Sequence, residues 1–210
     1  QLDRSDKEKQ LSDAMSLGNP VTELPLAVEL LYFRLEKGRY FVPMGVKISG
    51  SKVGGKSGKT DLGFIGTGKD SKGRTVASLR DAIKVKLPEG AAEKLAQRSL
   101  LYDAGFQLTP GEYRIKVLAR ENQEGKLGTF EGRFTVPDLD QGGAAAVSSL
   151  VLGTGRESLA SLVGNAGKPK KAGNLNPLVA DGKKLATSVT HVFRRHQTMT
   201  VFGELYAPGA

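Results

Sequence analysis

The chain has 210 residues, long enough for one large β-sandwich or for one sandwich and part of a second. It contains no Cys, which excludes disulfides and thiolate metal sites, and its net charge of +9 raises the question of an anionic partner. The first ten residues are charged and lack an apolar run, so neither a signal peptide nor a transmembrane span is expected there. The start at Gln1 suggests a processed protein or a piece of a longer one.

A short helix is predicted at the N-terminus, from Asp6 to Met15. Its apolar residues fall on one face, and its acidic first turn suits the helix dipole. Asn19-Pro20 and Leu24-Pro25 then favour extended chain, because a residue that precedes Pro avoids the α conformation.

The next segments predict β structure. Leu26 to Leu35 is apolar on both faces, which is typical of a central strand covered on both sides, or of a strand with a partner beyond this chain. Lys37-Gly38-Arg39 predicts a tight hairpin, and the alternation from Tyr40 to Ile48 predicts the strand that follows it. Pro43 lacks an N–H donor and therefore indicates a sheet edge or a bulge.

Two further strands follow a loop rich in Lys and Gly, residues 49–60. They run from Asp61 to Lys69 and from Arg74 to Leu87, with a turn at Asp70-Ser71-Lys72-Gly73. Pro88 to Ala96 is expected to be a connection with one helical turn.

The clearest pattern lies between Leu100 and Val136. Apolar residues recur there at every second position in three runs, 100–108, 113–119 and 130–136. Successive β side chains point to opposite faces, so the pattern predicts half-buried antiparallel strands. With the earlier strands the count reaches that of an all-β, immunoglobulin-like antiparallel β-sandwich.

Leu108-Thr109-Pro110-Gly111-Glu112-Tyr113 separates the first two of these runs. It resembles a tyrosine corner, in which a Tyr hydroxyl folds back onto the backbone of the preceding loop. We expect Tyr113 to be structural rather than ligand-binding.

After Val136 the pattern weakens. Gln141 to Ala146 is a small-residue linker. Beyond it we predict a strand at Ser148–Leu152, a long loop at Gly153–Asn176, and a hairpin of two strands, Thr187–Arg194 and Met199–Tyr206, around Arg195-His196-Gln197. A loop of that length is expected to be mobile or held by a partner.

These elements give three predicted regions. They are an N-terminal helix and lead-in (1–25), an immunoglobulin-like β-sandwich (26–140), and a linker, long Gly/Lys loop and partial second β unit (141–210). The last region is too small to bury a core alone, so it should dock on the sandwich or begin a second one.

No stretch predicts catalysis convincingly. Gly63 to Asp70 approaches a phosphate-binding P-loop, but Asp70 replaces the Ser or Thr that holds magnesium, and a turn rather than a helix follows. The chain also lacks the Gly-x-Ser-x-Gly elbow of hydrolases.

The remaining polar candidates have simple structural explanations. His191 should share a strand face with Val189 and Phe193 as a core His, and His196 should be a solvated turn residue. Metal sites generally need three or more protein ligands. The acidic pairs, Asp138 with Asp140 and Glu121 with Glu124, fall in a linker and a hairpin loop. We therefore predict no catalytic, cofactor-binding or metal-ligating residue and no cofactor.

The excess of positive over negative charge falls in residues 51–100 and 151–210, and each of these regions contains a Gly-rich loop. The two loops carry Lys52, Lys56 and Lys59, and Lys168, Lys170 and Lys171. Neither loop has an aromatic residue for base stacking, so solvated loops are favoured over a nucleic-acid site.

An ordered series of motifs resembles the region that follows the von Willebrand factor A domain in acidobacterial VWFA-related proteins. The motifs are Pro20-Val21-Thr22-Glu23-Leu24-Pro25-Leu26, Tyr32-Phe33-Arg34, Tyr40-Phe41-Val42-Pro43, Tyr102-Asp103-x-Gly105-Phe106-x-Leu108-x-Pro110-Gly111-x-Tyr113, Arg120-Glu121-Asn122, Gly128-Thr129-Phe130-Glu131, Val136-Pro137-Asp138-Leu139, Ser149-x-Val151-Leu152-Gly153, Asn176-Pro177-Leu178-Val179 and Val189-Thr190-His191-Val192-Phe193-Arg194-Arg195. The resemblance covers most of the chain, from about Leu11 to Pro208. The chain lacks the Asp-x-Ser-x-Ser metal-adhesion motif, so the A domain is absent and its metal binding does not carry over.

The resemblance implies a periplasmic or extracellular location and a role in protein association. We expect a non-enzymatic structural or interaction subunit of the cell envelope, bound to other protein subunits of a larger, membrane-associated complex, with no transmembrane segment of its own. Two other hypotheses stay open. One is a basic β-module that binds nucleic acid or an anionic polymer, based on the charge. The other is a hydrolase or nucleotide enzyme, based only on Gly63 to Asp70.

Overall fold

A computed structural model describes residues 4–16, 18–53, 59–86, 99–141, 143–158, 163–164 and 175–207. The predicted fold class is confirmed: the chain is an all-β, immunoglobulin-like antiparallel sandwich with one short N-terminal helix and a smaller C-terminal β unit. It divides into two compact units, one formed by 1–26, 47–100 and 114–133, the other by 27–46, 101–113 and 134–210. The domain bounds given above stay a prediction.

The predicted helix and the central strands are present at or close to the expected positions. The elements are α1 (Arg4–Ser16), β1 (Leu26–Leu30), β2 (Phe33–Glu36), β3 (Arg39–Ser49), a 3-10 turn (Gly50–Lys52), β4 (Lys59–Asp70), β5 (Thr75–Lys86), β6 (Ser99–Leu108), β7 (Gly111–Glu121), β8 (Leu127–Val136), β9 (Ala146–Val147), β10 (Val151–Ser158), β11 (Val163–Gly164), β12 (Val179–Ala180), β13 (Lys183–Thr187), β14 (Thr200–Phe202) and β15 (Leu205–Tyr206). The connection predicted at Pro88–Ala96 lies outside the described residues. No helix in the described ranges has the length and apolar character needed to cross a membrane.

One sheet has the strand order β5-β4-β7-β8. Its β4–β5 hairpin is antiparallel and turns where predicted, at Asp70 to Gly73, with φ of +78° at Gly73. The Asp70 carboxylate accepts the backbone N–H of Lys72 and of Arg74, at 3.0 and 2.9 Å. These bonds make Asp70 the acceptor that closes a tight turn.

The extended lead-in after the helix runs along strand β8. The Val21 N–H donates to Thr129 Oγ1 and the Thr129 N–H donates to the Val21 carbonyl, each at 2.8 Å. The Leu24 N–H donates to the Leu127 carbonyl at 2.9 Å. A Cβ at Gly128 would lie 1.8 Å from the Leu24 carbonyl oxygen, so only Gly allows this approach.

A second sheet has the order β1-β3-β6-β11, with β2 also paired to β3. The predicted hairpin at Lys37-Gly38-Arg39 joins β2 to β3, and Gly38 has φ of +69°. The prediction of one central strand from Leu26 to Leu35 was wrong. The segment forms β1 and β2, which both pair with β3 at the rim of the described sheet, and β1 is half-buried throughout.

Pro43 explains why that segment splits. It lies inside β3 and not at a sheet edge, and its carbonyl accepts the Leu31 N–H at 3.1 Å. An extended residue directs its N–H and C=O to the same side, so the missing Pro43 donor faces the break between β1 and β2.

The C-terminal hairpin prediction was also wrong. β13 ends at Thr187, no strand occupies residues 188–198, and β14 is short. Both β13 and β14 pair with β10, in a sheet ordered β12-β13-β10-β14. The loop predicted at Gly153–Asn176 was wrong in its first part, because strand β10 runs to Ser158; residues 159–162 and 165–174 lie outside the described chain.

The C-terminal strands pack on earlier ones within the same unit. Buried side chains of Leu31 and Phe33 form one cluster with Val151, Leu178 and Leu185. The C-terminal region thus shares a buried core with the chain around β2.

The tyrosine corner is confirmed. The Tyr113 hydroxyl donates to the Thr109 carbonyl at 2.7 Å and lies 3.2 Å from Thr109 Oγ1. Tyr113 is 7% exposed. The bond therefore fixes the chain between β6 and β7, which belong to different sheets.

Tyr113→Phe should lower the free energy of unfolding by about 1–2 kcal/mol, because the Thr109 carbonyl loses a buried donor. Urea unfolding followed by circular dichroism measures the change. The control is Tyr32→Phe, since the Tyr32 hydroxyl makes no hydrogen bond within the described residues. Equal losses in the two variants would show that the corner contributes nothing specific.

Candidate functional site

Gly63 to Asp70 lies in strand β4 and leads into the β4–β5 turn. A P-loop requires a helix N-terminus directly after it. The hairpin therefore has the wrong geometry for holding a nucleotide phosphate.

The two His residues differ from each other. His196 is exposed in the turn at Arg195–Gln197, as predicted. The expectation that His191 is a core His on a strand was wrong: its side chain is 52% exposed, and its backbone has φ of +53°, a left-handed conformation. A left-handed residue interrupts a strand, which is why no strand forms there.

A group of charged side chains lies in the second unit around the buried pair Lys184 and Asp103; we call Glu29, Asp103, Lys184 and His191 the charge cluster. Lys184 Nζ lies 2.5 Å from Asp103 Oδ1, and these side chains are 2% and 5% exposed. His191 Nε2 lies 2.6 Å from Glu29 Oε1. The cluster draws on strands β1, β6 and β13 and on the chain after β13.

Burial dominates the electrostatics of both acids. Desolvation raises the pKa of Asp103, against the lowering effect of the Lys184 charge and hydrogen bond. Desolvation also raises the pKa of Glu29, opposed by the His191 hydrogen bond and by the charges of His191 and Lys184. Asp103 Oδ2 is buried and has no hydrogen-bond partner within the described ranges. Burial thus shifts both acids in the direction of their protonated forms.

Sequence reasoning missed this cluster. Asp103 is the only charged residue between Leu100 and Leu108, and the alternation places it on the face opposite Tyr102 and Ala104. A single carboxylate in an otherwise uncharged strand was the available signal. Nothing local pointed to Lys184 as its partner, because the two residues are 81 positions apart.

Asp140 has a structural role that the linker interpretation did not foresee. Arg34 Nη1 donates to its Oδ1 at 2.8 Å, and the Gly38 N–H donates to its Oδ2 at 2.9 Å. The Gly38 hydrogen bond, with a further contribution from Arg34, lowers the pKa of Asp140. Asp140 therefore anchors the β2–β3 hairpin.

Asp140→Asn should lower the stability of the folded protein at neutral pH. The variant should also lose less stability than the native protein when the pH is lowered. A carboxylate with a lowered folded-state pKa stabilises the protein above its ordinary value of 3.8, and this contribution disappears as pH falls through the folded pKa. Thermal unfolding between about pH 7 and pH 2.5 tests this. Asp81→Asn, on β5, is the comparison. If the profiles of native protein and Asp140→Asn run parallel down to the lowest pH, Asp140 contributes no such linkage.

Glu121 was predicted in a hairpin loop together with Glu124, but it is the last residue of β7 and is buried, and only Glu124 lies in the turn. Glu121 accepts the backbone N–H groups of Gln123 and Glu124 through its two carboxylate oxygens, at 2.8 and 2.6 Å. Asp138 accepts the Asp140 N–H at 3.1 Å. The described part of the chain contains no group of three or more His, Cys, Asp or Glu placed to hold a metal ion.

Exposed apolar side chains form a second feature, which we call the apolar strip: Val147, Leu150, Val201 and Leu205. Leu205 pairs directly with Val147 between β15 and β9, and these are 74% and 47% exposed. Leu150 is 61% exposed and lies over Gly203, between Val201 and Leu205. From 201 to 207 exposure alternates strictly, with odd positions outward, so the strip occupies one face.

A third feature is a cleft of about 490 Å³ between the segment 18–20 and strands β7 and β8; we call it the cationic cleft. Its charged lining consists of Arg114, Lys116, Arg133 and Glu131. Glu131 Oε1 lies 3.4 Å from Arg114 Nη1, and its Oε2 lies 3.8 Å from Lys116 Nζ. Three cations against one carboxylate leave the cleft with an excess of positive charge.

The sequence pattern predicted that the excess positive charge lies in the Lys-rich loops. Lys52 is exposed there as expected, whereas Lys56, Lys168, Lys170 and Lys171 lie outside the described residues. The cleft cations are the outward members of alternating strands, and only the placement of 18–20 beside them makes a concave site.

No family model and no curated protein matches this sequence. Among solved structures, similarity is found to a β-glucuronidase of Bacteroides uniformis (12% identity, TM-score 0.38, 52% of this chain and 13% of that chain) and to a β-glucuronidase from glycoside hydrolase family 2 (10%, 0.36, 52% and 11%). Structural-genomics target SoR45 is also similar (15%, 0.35, 56% and 90%). The chain spans less than a fifth of the length of the glucuronidases that it matches, and similarity at this level carries no conclusion about activity.

Proposed function

We propose that this protein is a non-enzymatic structural subunit that binds another protein through the apolar strip. The exposure of Leu205 and Leu150, at 74% and 61%, is the observation that supports it. Contiguous apolar surface on a folded domain costs free energy in water and commonly marks a site of protein association. A location in the cell envelope, outside the cytoplasm, is part of the proposal and derives from the family resemblance in the sequence.

The edge position of the strip strengthens the proposal. Strand β14 carries Val201 and ends the order β12-β13-β10-β14, so in the described part of that sheet it pairs on one side only. Edge strands offer backbone donors and acceptors to an incoming chain. The expected partner is a protein that covers the apolar side chains and adds an extended segment beside β14.

Placing a photo-crosslinking amino acid at Leu205 should give a defined protein adduct in the native host. The control position is Val76, an exposed apolar residue of β5 (45%) that is not part of the strip. Leu205→Lys should weaken the isolated complex by at least about tenfold, because a charge would be buried in its centre. Native mass spectrometry and the yield of adduct measure both effects.

Two results would contradict this proposal. One is a native mass that shows only the free monomer in envelope extracts. The other is an equal pattern of adducts from Leu205 and Val76, which would indicate random collisions.

The cationic cleft favours a second candidate function, binding of an anionic polymer. Arg114 is 62% exposed, so its guanidinium is available to a ligand, whereas Lys116 is 14% exposed and supplies charge from deeper in the cleft. Neither the cleft lining nor the Lys-rich loops contain an aromatic residue, so phosphate or carboxylate recognition is favoured over base stacking.

Arg133→Glu should weaken binding of a polyphosphate chain by at least about tenfold and flatten its dependence on salt, because it removes one cation and adds one anion. The matched control is Lys69→Glu, an equal charge change at an exposed position of β4 that does not line the cleft. Fluorescence anisotropy at several salt concentrations is the measurement. If the two variants weaken binding equally, net charge and not the cleft accounts for the affinity.

A further inference from the structure

The charge cluster differs from an ordinary buried ion pair. Removing two ions from water is costly, and a stable pair compensates with hydrogen bonds to every remaining donor and acceptor. Asp103 uses Oδ1 for Lys184, yet Oδ2 is buried without a partner in the chain that the structure describes. A carboxylate in that situation is poorly stabilised as an anion.

The neutral form of the pair reduces this cost, because Oδ2, unpartnered in the described part of the chain, then belongs to an uncharged carboxyl group. Transfer of one proton from the Lys184 ammonium to the Asp103 carboxylate leaves an amine beside a carboxylic acid, with no net charge in either group. Low-dielectric surroundings favour such neutral forms, and desolvation raises the pKa of Asp103 in that direction. A neutral amine is a nucleophile, and a protonated carboxyl is an acceptor with a hydroxyl that leaves as water.

We propose that Lys184 and Asp103 condense into an intramolecular isopeptide bond. The Lys184 Nζ lone pair attacks Asp103 Cγ, so that a C–N bond forms. The bond between Cγ and the acid hydroxyl oxygen breaks, and that hydroxyl leaves with one proton from Nζ as water. The product is a secondary amide, and the reaction requires no oxidant, reductant or cofactor.

The geometry favours this reaction in two ways. The reacting groups are already in contact at 2.5 Å between Nζ and Oδ1, so positioning is achieved by folding alone. The side chains are 2% and 5% exposed, which keeps bulk water from hydrolysing the intermediate.

The proton transfer is assigned to Glu29, the other acid of the charge cluster. Burial raises the pKa of the Glu29 carboxyl overall, and the charges of His191 and Lys184 act in the opposite direction. His191 holds it through the contact at 2.6 Å. A protonated Glu29 carboxyl gives its proton to the departing hydroxyl, which leaves as water, and takes one proton from Nζ in exchange as the C–N bond forms.

The bond would join β6 to β13, which lie in different sheets of the second unit. The sequence has no Cys and hence no disulfide to do this. An amide staple withstands reducing conditions that would open a disulfide. The inference depends on the charge cluster alone, and it stands whether or not the apolar strip binds a partner.

The intact mass of the purified full chain, measured under denaturing conditions, tests the proposal. The native sequence should weigh one water molecule less than its composition requires, and proteolysis should yield a branched peptide that joins Lys184 to Asp103. Lys184→Met should restore the full mass, whereas Lys183→Met, which changes the exposed neighbour on β13, should keep the loss of water.

The variant Glu29→Gln distinguishes the proton-transfer role of Glu29 from its contribution to packing. It keeps the shape of the side chain, so the variant should fold but contain a large fraction of uncrosslinked chain at early times after refolding. Native protein that shows the full mass, or that loses water without the branched peptide, would overturn the proposal. Complete and equally fast cross-linking in Glu29→Gln would overturn the role given to Glu29.

Discussion

The second unit depends on one constraint. Strands β3 and β6 have buried side chains on both faces, so both faces must be covered by other parts of the chain. Every residue of β3 from Tyr40 to Val46 is buried, without the outward polar positions of a solvated strand. The C-terminal strands supply the second cover. A Cβ at Gly45 would lie 2.9 Å from a methyl carbon of Val189, which shows how closely the later chain approaches β3.

The C-terminal strands are short, and packing against the earlier strands stabilises them. Their apolar side chains complete a cluster around Leu31 and Phe33, and Phe202 packs its ring 5.9 Å from that of Phe33. Hydrogen bonds also fix how the C-terminal segments align with β2. The Tyr32 N–H donates to Ser149 Oγ at 2.9 Å, and the Arg34 N–H donates to the Tyr206 hydroxyl at 2.9 Å. The same cover turns the Asp103 position of β6 from solvent-facing into interior.

Local patterns were sufficient wherever a strand alternates and its neighbour follows directly in sequence. The hairpins at Gly38 and Gly73 and the tyrosine corner at Tyr113 were predictable because a few adjacent residues determine each of them. Pairing over long distances was not. β10 takes the place between β13 and β14, and no feature of residues 187–206 indicates that a strand some fifty positions earlier separates them.

The candidate sites also combine features that are visible locally with contacts that form only between distant parts of the chain. Each cation of the cationic cleft is visible as an outward residue, but the cleft exists only because Gly128 lets the lead-in lie against β8. Asp103 and Lys184 meet only after two sheets have packed together, so neither the pair nor its burial could be derived from spacing. His191 was expected to be a core residue of a strand, but in the folded chain it lies outside any strand and contacts Glu29.

The apolar strip and the charge cluster impose opposite demands on the same unit. The strip lies on short strands, and short strands with few ladder hydrogen bonds open easily when a partner pulls on them. Packing of Leu31 and Phe33 resists that opening only as long as the sheets stay together. A link between β6 and β13 would fix the two sheets at a buried point, so that force applied to the exposed face would be carried by a covalent bond. In the proposed structural role, such a cross-link would support an interaction surface that lies on the least extensive sheets.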